Sequence, residues 1–197
     1  IIAMFYSRFS KADIRVVHAH SEPALIEMLK SGELDVIYAA HFGELAAEGL
    51  VCEFIKKRRL LLSVCSSHPA VSQASINSTE KYPKIALSEF KSDKFAISSK
   101  ILKSESNFKK IFENAGFTPQ IFCDTSYLYV ANAMVAAGLC VSFSFARYIF
   151  ETQKDYITLF DVADEPLLDV SFSVVYKKPS KLAKEFIKMI KAGKSGE

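Results

Sequence analysis

Residues Ser21–Ala40 read S-E-P-A-L-I-E-M-L-K-S-G-E-L-D-V-I-Y-A-A, and the fold follows from how these twenty are punctuated. Ser21 can cap a helix, because its hydroxyl accepts a hydrogen bond from an otherwise unpaired N–H of the first turn. Pro23 is tolerated in that turn, where its missing N–H is no loss. Leu25, Ile26, Met28 and Leu29 give an apolar face at helical spacing, and Gly32 supplies the left-handed residue that stops the helix. Asp35–Ala40 is apolar enough to predict a central strand. One helix and one strand, closely joined, predict an α/β sheet with a helix N-terminus near a strand end, where such sheets bind ligands.

The alternation continues outward. Ile1–Ser10 predicts an amphipathic helix with Ile2, Phe5, Tyr6 and Phe9 on one face, and Ile14–Ala19 a strand. Leu50–Ile55 and Leu60–Cys65 predict strands with a basic stretch between them, and Val71–Tyr82 a polar loop. Lys94–Ile97, Gln120–Cys123, Cys140–Phe145, Ile157–Phe160 and Leu167–Tyr176 predict further strands. Ser104–Ala115, Ser126–Ala137 and Ser180–Ala192 predict helices, the last capped by Ser180, and Ala146–Thr152 a helical turn. Thr125–Ala146 holds no charge over 22 residues, long enough to raise a membrane span. Gly138 divides it, and helical spacing before it gives way to alternation after it. A helix followed by a strand, in a soluble cytoplasmic protein, is the expectation.

Composition narrows the function. The 197 residues carry 25 basic and 22 acidic side chains. So even a balance argues against a nucleic-acid-binding surface, which needs concentrated positive charge. The clusters Lys56–Arg59 and Lys177–Lys184 are expected on solvated faces. Cys52, Cys65, Cys123 and Cys140 show no C-x-x-C spacing and are expected to be reduced, all but Cys52 in apolar surroundings. His18 and His20, two apart, with His41 near by, offer at most half a metal site, so no metal and no cofactor is expected. No G-x-S-x-G, phosphate-binding glycine loop or nucleophile pairing is present, and Glu113, Asp124 and Asp155 read as surface acids. An enzyme is not expected.

The stretch L-K-S-G-E-L-D-V-I at Leu29–Ile37 resembles the effector-binding domain of LysR-type transcriptional regulators. Met134–Leu139, M-V-A-A-G-L, resembles that family's V-A-A-G-L-G-I pattern. Ser67-His68-Pro69, Ala115–Pro119 and a closing strand and helix over Val170–Lys191 agree in order. The resemblance implies two Rossmann-like subdomains with a ligand cleft between them, as in type 2 periplasmic solute-binding proteins. It places residues 1–57 and 162–197 in subdomain I and 58–161 in subdomain II. The N-terminal winged helix–turn–helix, a linker helix and the first strand of the domain are expected outside this chain.

Carried over residue by residue, the family's effector site falls on Ser21, Glu22, Ala40 and His41 in the first subdomain. In the second it falls on Ser98, Ser99, Ser104, Ser126, Tyr127, Ser144 and Phe145. Helices starting at Ser21, within Ser99–Ser104 and at Ser126 would each present a positive helix end, worth about 0.3–1 kcal/mol toward an anion. A small carboxylate, amino acid or other anion is the expected effector. Glu22, standing where the family often has Ser or Thr, would repel a plain anion and favours a ligand with an amino group. Cys140 replaces the second glycine of the G-L-G pattern, and Phe145 the proline that usually ends that strand. The region Ser98–Asn107, where peroxide-sensing members keep redox cysteines, has none.

The resemblance further implies an antiparallel, side-by-side homodimer, and a tetramer at full length, with DNA bound only through the N-terminal domain and no membrane contact. Ile14–Ala19 and Pro23–Lys30 of one chain would meet Ser126–Ala137 of its partner. A free-standing solute-binding protein of the same fold is the alternative.

Overall fold

The computed structural model describes residues 1–17, 22–43, 45, 48–73, 80–98, 107–163 and 165–193. The chain divides into two compact units, Ile1–Arg58 with Val170–Glu197, and Arg59–Asp169.

The first unit is built on a three-stranded sheet in the order β1-β9-β2. Its strands are β1 (Ile37–His41), β2 (Val51–Arg59) and β9 (Asp169–Tyr176). β1 runs antiparallel to β9, with Ile37 opposite Val175 and His41 opposite Ser171. Consecutive residues of a strand face opposite ways, and Val174 and Val175 use this to build two cores. Val175 packs with Ile26 and Leu29 of α2 (Glu22–Ser31) and with Ile37 and Ala39 of β1. Val174 packs with Ile55 and with Ile187 and Ile190 of the C-terminal helix, Lys181–Ala192. Phe5 of α1 (Ile2–Arg8) stands edge-on to Phe186 of that helix, centroids 5.0 Å apart. α2 ends as its sequence predicts. Gly32 adopts φ +84°, and Leu34 N–H returns to the Met28 carbonyl at 3.1 Å, closing the last turn.

The second unit holds a four-stranded sheet, β4-β8-β3-β7, and a two-stranded one, β5-β6. The strands are β3 (Leu61–Cys65), β4 (Lys84–Ile85), β5 (Lys94–Ala96), β6 (Gln120–Cys123), β7 (Ser142–Ser144) and β8 (Ile157–Val162). β3 is antiparallel to β7 and β8, while β4 parallels β8 and β5 parallels β6. A parallel bridge from Phe95 to Val141 joins β5 to the approach of β7. Three helices complete the unit: α3 (Pro69–Gln73), α4 (Asn107–Asn114) and α5 (Leu128–Ala136). Phe90, Phe95, Phe112 and Phe160 are fully buried, with Leu62, Val64, Val135 and Val141. Phe95 and Phe143 each meet Phe112 nearly edge-on, an arrangement that aligns ring edges with ring faces. The closing helix, now α6, starts at its expected cap: Ser180 Oγ accepts from Ala183 N–H at 3.1 Å.

Several expectations are corrected. Ile14–Val17 forms no strand, and Val16 is 71% exposed; His18 and Ala19 lie outside the described residues. Of Asp35–Ala40, only Ile37 onward lies in a strand. Among the described residues β1 pairs only with β9, and Tyr38 is left half exposed. On α1 only Phe5 is buried, while Ile2 and Tyr6 face outward. The basic stretch does not interrupt two strands but is the second half of β2. Arg59 within it is not on a solvated face, because it is folded into a hydrogen-bond network. Val71–Gln73 is helical, not loop. Cys140 is buried, but Cys65 and Cys123 only partly so. Among the described residues no helix is long and apolar enough to cross a membrane.

Candidate functional site

In the second unit, β6, β5 and β7 bring three carboxyl ends to one side, since β5 parallels β6 and Phe95 bridges Val141 in parallel. Carboxyl ends of neighbouring parallel strands are where α/β sheets bind ligands. Ser98 lies two residues past β5 and is 8% exposed, and Ser144 ends β7 and is fully buried. Their strands are tied together by Ser142, whose Oγ donates to the Ala96 carbonyl at 2.7 Å. Phe145 follows Ser144 and packs on Tyr148, centroids 5.8 Å apart.

Helix α5 meets the same end. Tyr127 stands immediately before its first turn and is 40% exposed. Ser126 does not cap this helix. The Tyr127 N–H is instead taken by Thr125 Oγ1 at 3.1 Å, and Ser126 is exposed. One turn into the helix, Asn132 is completely buried, and its Nδ2 donates to Ser144 Oγ at 3.0 Å and to the Tyr148 carbonyl at 3.1 Å. Asn132 was not among the expected residues. Its signal lay in the uncharged run: four residues after Leu128 and three before Val135, it falls on the buried face, where an amide demands a partner.

In the first unit the two expected residues of β1 differ. Ala40 is exposed, whereas His41 is held at both nitrogens. Nδ1 lies 2.8 Å from the Gly43 carbonyl and Nε2 2.9 Å from Ser173 Oγ. A carbonyl only accepts, so Nδ1 carries the proton and Nε2 accepts from the serine hydroxyl in the neutral ring. Both ring nitrogens of His41 are thus held by its own unit. Glu22 opens α2. Ser21, Ser99, Ser104, His18 and His20 lie outside the described residues.

A cavity of about 290 Å³ lies among the residues that lead into β5 and β7, lined by Cys65, His68, Asp93, Lys94 and Gly138–Val141. None of the expected residues lines it. His68 is already committed there. Its Nδ1 accepts from Ala70 N–H at 3.1 Å, so Nε2 carries the proton to Asp93 Oδ1, 3.1 Å away. Cys140, in the same wall, has its thiol pushed up to about 11 by burial, with the neighbouring Cys123 adding to the effect. It is a packing thiol rather than a nucleophile at neutral pH. Among the described residues no three His, Cys, Asp or Glu side chains group to hold a metal ion.

Comparison with known proteins gives this arrangement its context. The family profile described as the LysR substrate binding domain matches residues 1–194. No curated protein matches the sequence. The regulatory domain of CcmR from Synechocystis PCC6803, solved with 2-PG, is similar in structure, with a TM-score of 0.76, 12% identity, 99% of this chain covered and 89% of that one. HinK, a LysR family transcriptional regulator from Pseudomonas aeruginosa, gives 0.73 at 19% identity over 97% of this chain and 63% of that one. Full-length CbnR in complex with its target DNA gives 0.67 at 17% identity over 98% of this chain and 62% of that one. The chain thus spans under two thirds of HinK and of CbnR. The fold is that of a type 2 periplasmic-binding-protein-like domain.

Proposed function

The chain belongs to the LysR substrate-binding domain family, and from this premise we propose that it is the sensing part of a transcriptional regulator. It binds a small carboxylate, amino acid or other anion and thereby alters how the regulator engages DNA. The observation that carries this reading is the family match over residues 1–194. A related regulatory domain solved with 2-PG supports a small anionic effector. The two compact units are taken as its two regulatory subdomains, with crossings near Lys57-Arg58 and Val162–Pro166.

The candidate effector residues are Ser98, Ser126, Tyr127, Ser144 and Phe145 of the second unit, with Glu22, Ala40 and His41 of the first. Ser21, Ser99 and Ser104 are retained from the resemblance. The domain binds its ligand and does not transform it. An effector that prefers one conformation shifts the population toward it by its differential affinity, and one with no preference changes nothing. The regulator acts in the cytoplasm as a homodimer or tetramer, and the half-exposed rings of Tyr127, just before α5, and Tyr129, within it, support the pairing through that helix. DNA is bound through a separate N-terminal domain.

The test is operator affinity of the regulator that carries this domain, measured with and without a compound that the domain binds. A change of fivefold or more, roughly the lower end of allosteric couplings, is expected. Unchanged affinity at saturating compound would contradict the regulatory role.

A further inference from the structure

Lys177–Lys191 carries six lysines and one glutamate, a net charge of +5, in a chain whose total is +3, so the remaining residues sum to −2. The even balance of the whole chain conceals one basic face. Lys177, Lys178, Lys181, Lys184 and Lys188 are all exposed. Lys188 is paired with Glu185 at 2.6 Å and Lys191 with Glu53. Among the described residues no carboxylate meets Lys178, Lys181 or Lys184.

These lysines stand against the local electrostatics of their helix. Lys181 and Lys184 open α6, whose first turn holds no acidic residue, and that end of a helix dipole is positive and favours acids. Lys181, Lys184 and Lys188 share one stripe, at spacings of three and four where like charges repel. A local rule broken with no compensation inside the fold is expected at a functional surface, and an external polyanion supplies the compensation. The apolar face of α6, Ala183, Ile187 and Ile190, is spent on the core. Of its large apolar side chains only Leu182 is exposed. A helix that lies on a lipid surface needs an apolar face to bury there, so charge alone reads the partner here, and a phosphodiester backbone fits.

We propose that the α6 face bearing Lys178, Lys181 and Lys184 rests on the phosphate backbone of duplex DNA, without regard to base sequence. The contact is additional to that of the separate DNA-binding domain. It rests on the regulator reading above, which keeps this domain close to DNA. Tethering supplies an effective concentration of millimolar order, so a contact as weak as ordinary non-specific binding, about 10⁻⁴–10⁻⁶ M, suffices.

The experiment is fluorescence anisotropy of a labelled duplex of arbitrary sequence, titrated with this domain at a series of salt concentrations. Three neutralised phosphates give a slope of about −2.7 in log K against log salt. Lys178→Gln, Lys181→Gln and Lys184→Gln together weaken binding at low salt at least about tenfold and flatten the slope. Lys91→Gln, Lys109→Gln and Lys110→Gln together remove the same charge from exposed sites of the second unit and leave both unchanged. Equal weakening by the two triple variants makes the effect one of net charge and overturns the proposal. So does an absence of DNA binding at low salt, or tighter binding to vesicles of anionic phospholipid than to the duplex. Each of those results leaves effector binding, which is measured without DNA, as it stands. All six substitutions are on the surface, where effects on stability are small, and an unchanged melting temperature verifies the fold of each variant.

Discussion

Arg59 Nε donates to Asp161 Oδ1 at 2.7 Å, and the rest of the guanidinium closes around the same loop. Nη1 reaches the Glu165 carbonyl at 2.6 Å and Nη2 the Val162 carbonyl at 3.0 Å, with Asp169 3.5 Å away. One planar fork thus gathers the end of β8 and the segment after it, a geometry an ammonium cannot reproduce. Arg59→Ala is expected to cost about 2–4 kcal/mol in urea denaturation, because it strands a half-buried carboxylate and two carbonyls. Arg59→Lys keeps the charge and is expected to lose about 1–2 kcal/mol. Unchanged midpoints for both would show the network to be ornamental.

Ser180→Ala removes the side-chain acceptor that caps the first turn of α6. A loss of about 1 kcal/mol is expected, readable as a lower melting temperature. Because α6 supplies Ile187 and Ile190 to the core of the first unit, that unit should loosen first. Hydrogen exchange that speeds up equally in both units would argue against this localisation.

Gly138 takes φ +73° just after α5, and a Cβ built there would meet only Cys65 Sγ at an ordinary 3.7 Å. Space is therefore not the constraint; the left-handed backbone is. Gly138→Ala is expected to cost about 1–2 kcal/mol. A neutral or stabilising result would mean that the turn relaxes to another conformation.

The cysteines should separate by reactivity. At pH 8 iodoacetamide is expected to label exposed Cys52 in the native protein and to spare buried Cys140. The Cys140 pKa is raised from 9.0 to about 11 by burial. Between those values the unfolded chain has released the proton and the folded one has not, so stability falls as pH rises through this window. Below pH 9 Cys140 contributes no slope. A Cys140→Ala protein should lack its share of the alkaline decline, and an identical decline in both proteins would remove Cys140 as its cause.

Local chemistry made most helices legible in the sequence, although α3 fell where a loop was expected and Ser126 is not the cap of α5. Ser180 and Gly32 act through their own hydroxyl and backbone, so their roles are visible without tertiary context. Sheet position was not legible. Asp35–Ala40 reads as a central strand because it is apolar, yet β1 pairs on one side only among the described residues. Pairing is a property of the neighbours, not of the strand. Arg59 was hidden for the same reason, since its partners lie 102 to 106 residues away. At the candidate site Ser144 was found through resemblance, whereas Asn132 had to wait for the structure. A single amide in an uncharged run becomes informative only once its face is known to be buried.

The measurement that tests the central claim most directly is a thermal-shift titration of this domain with amino acids, small organic acids and inorganic anions. A compound that is the effector should raise the melting temperature with dose, by about 5–10 °C at a hundredfold excess over its Kd. Ser144→Ala should shrink the shift. A dose-independent melting temperature across the whole panel, in a protein that otherwise melts cooperatively, would contradict the account.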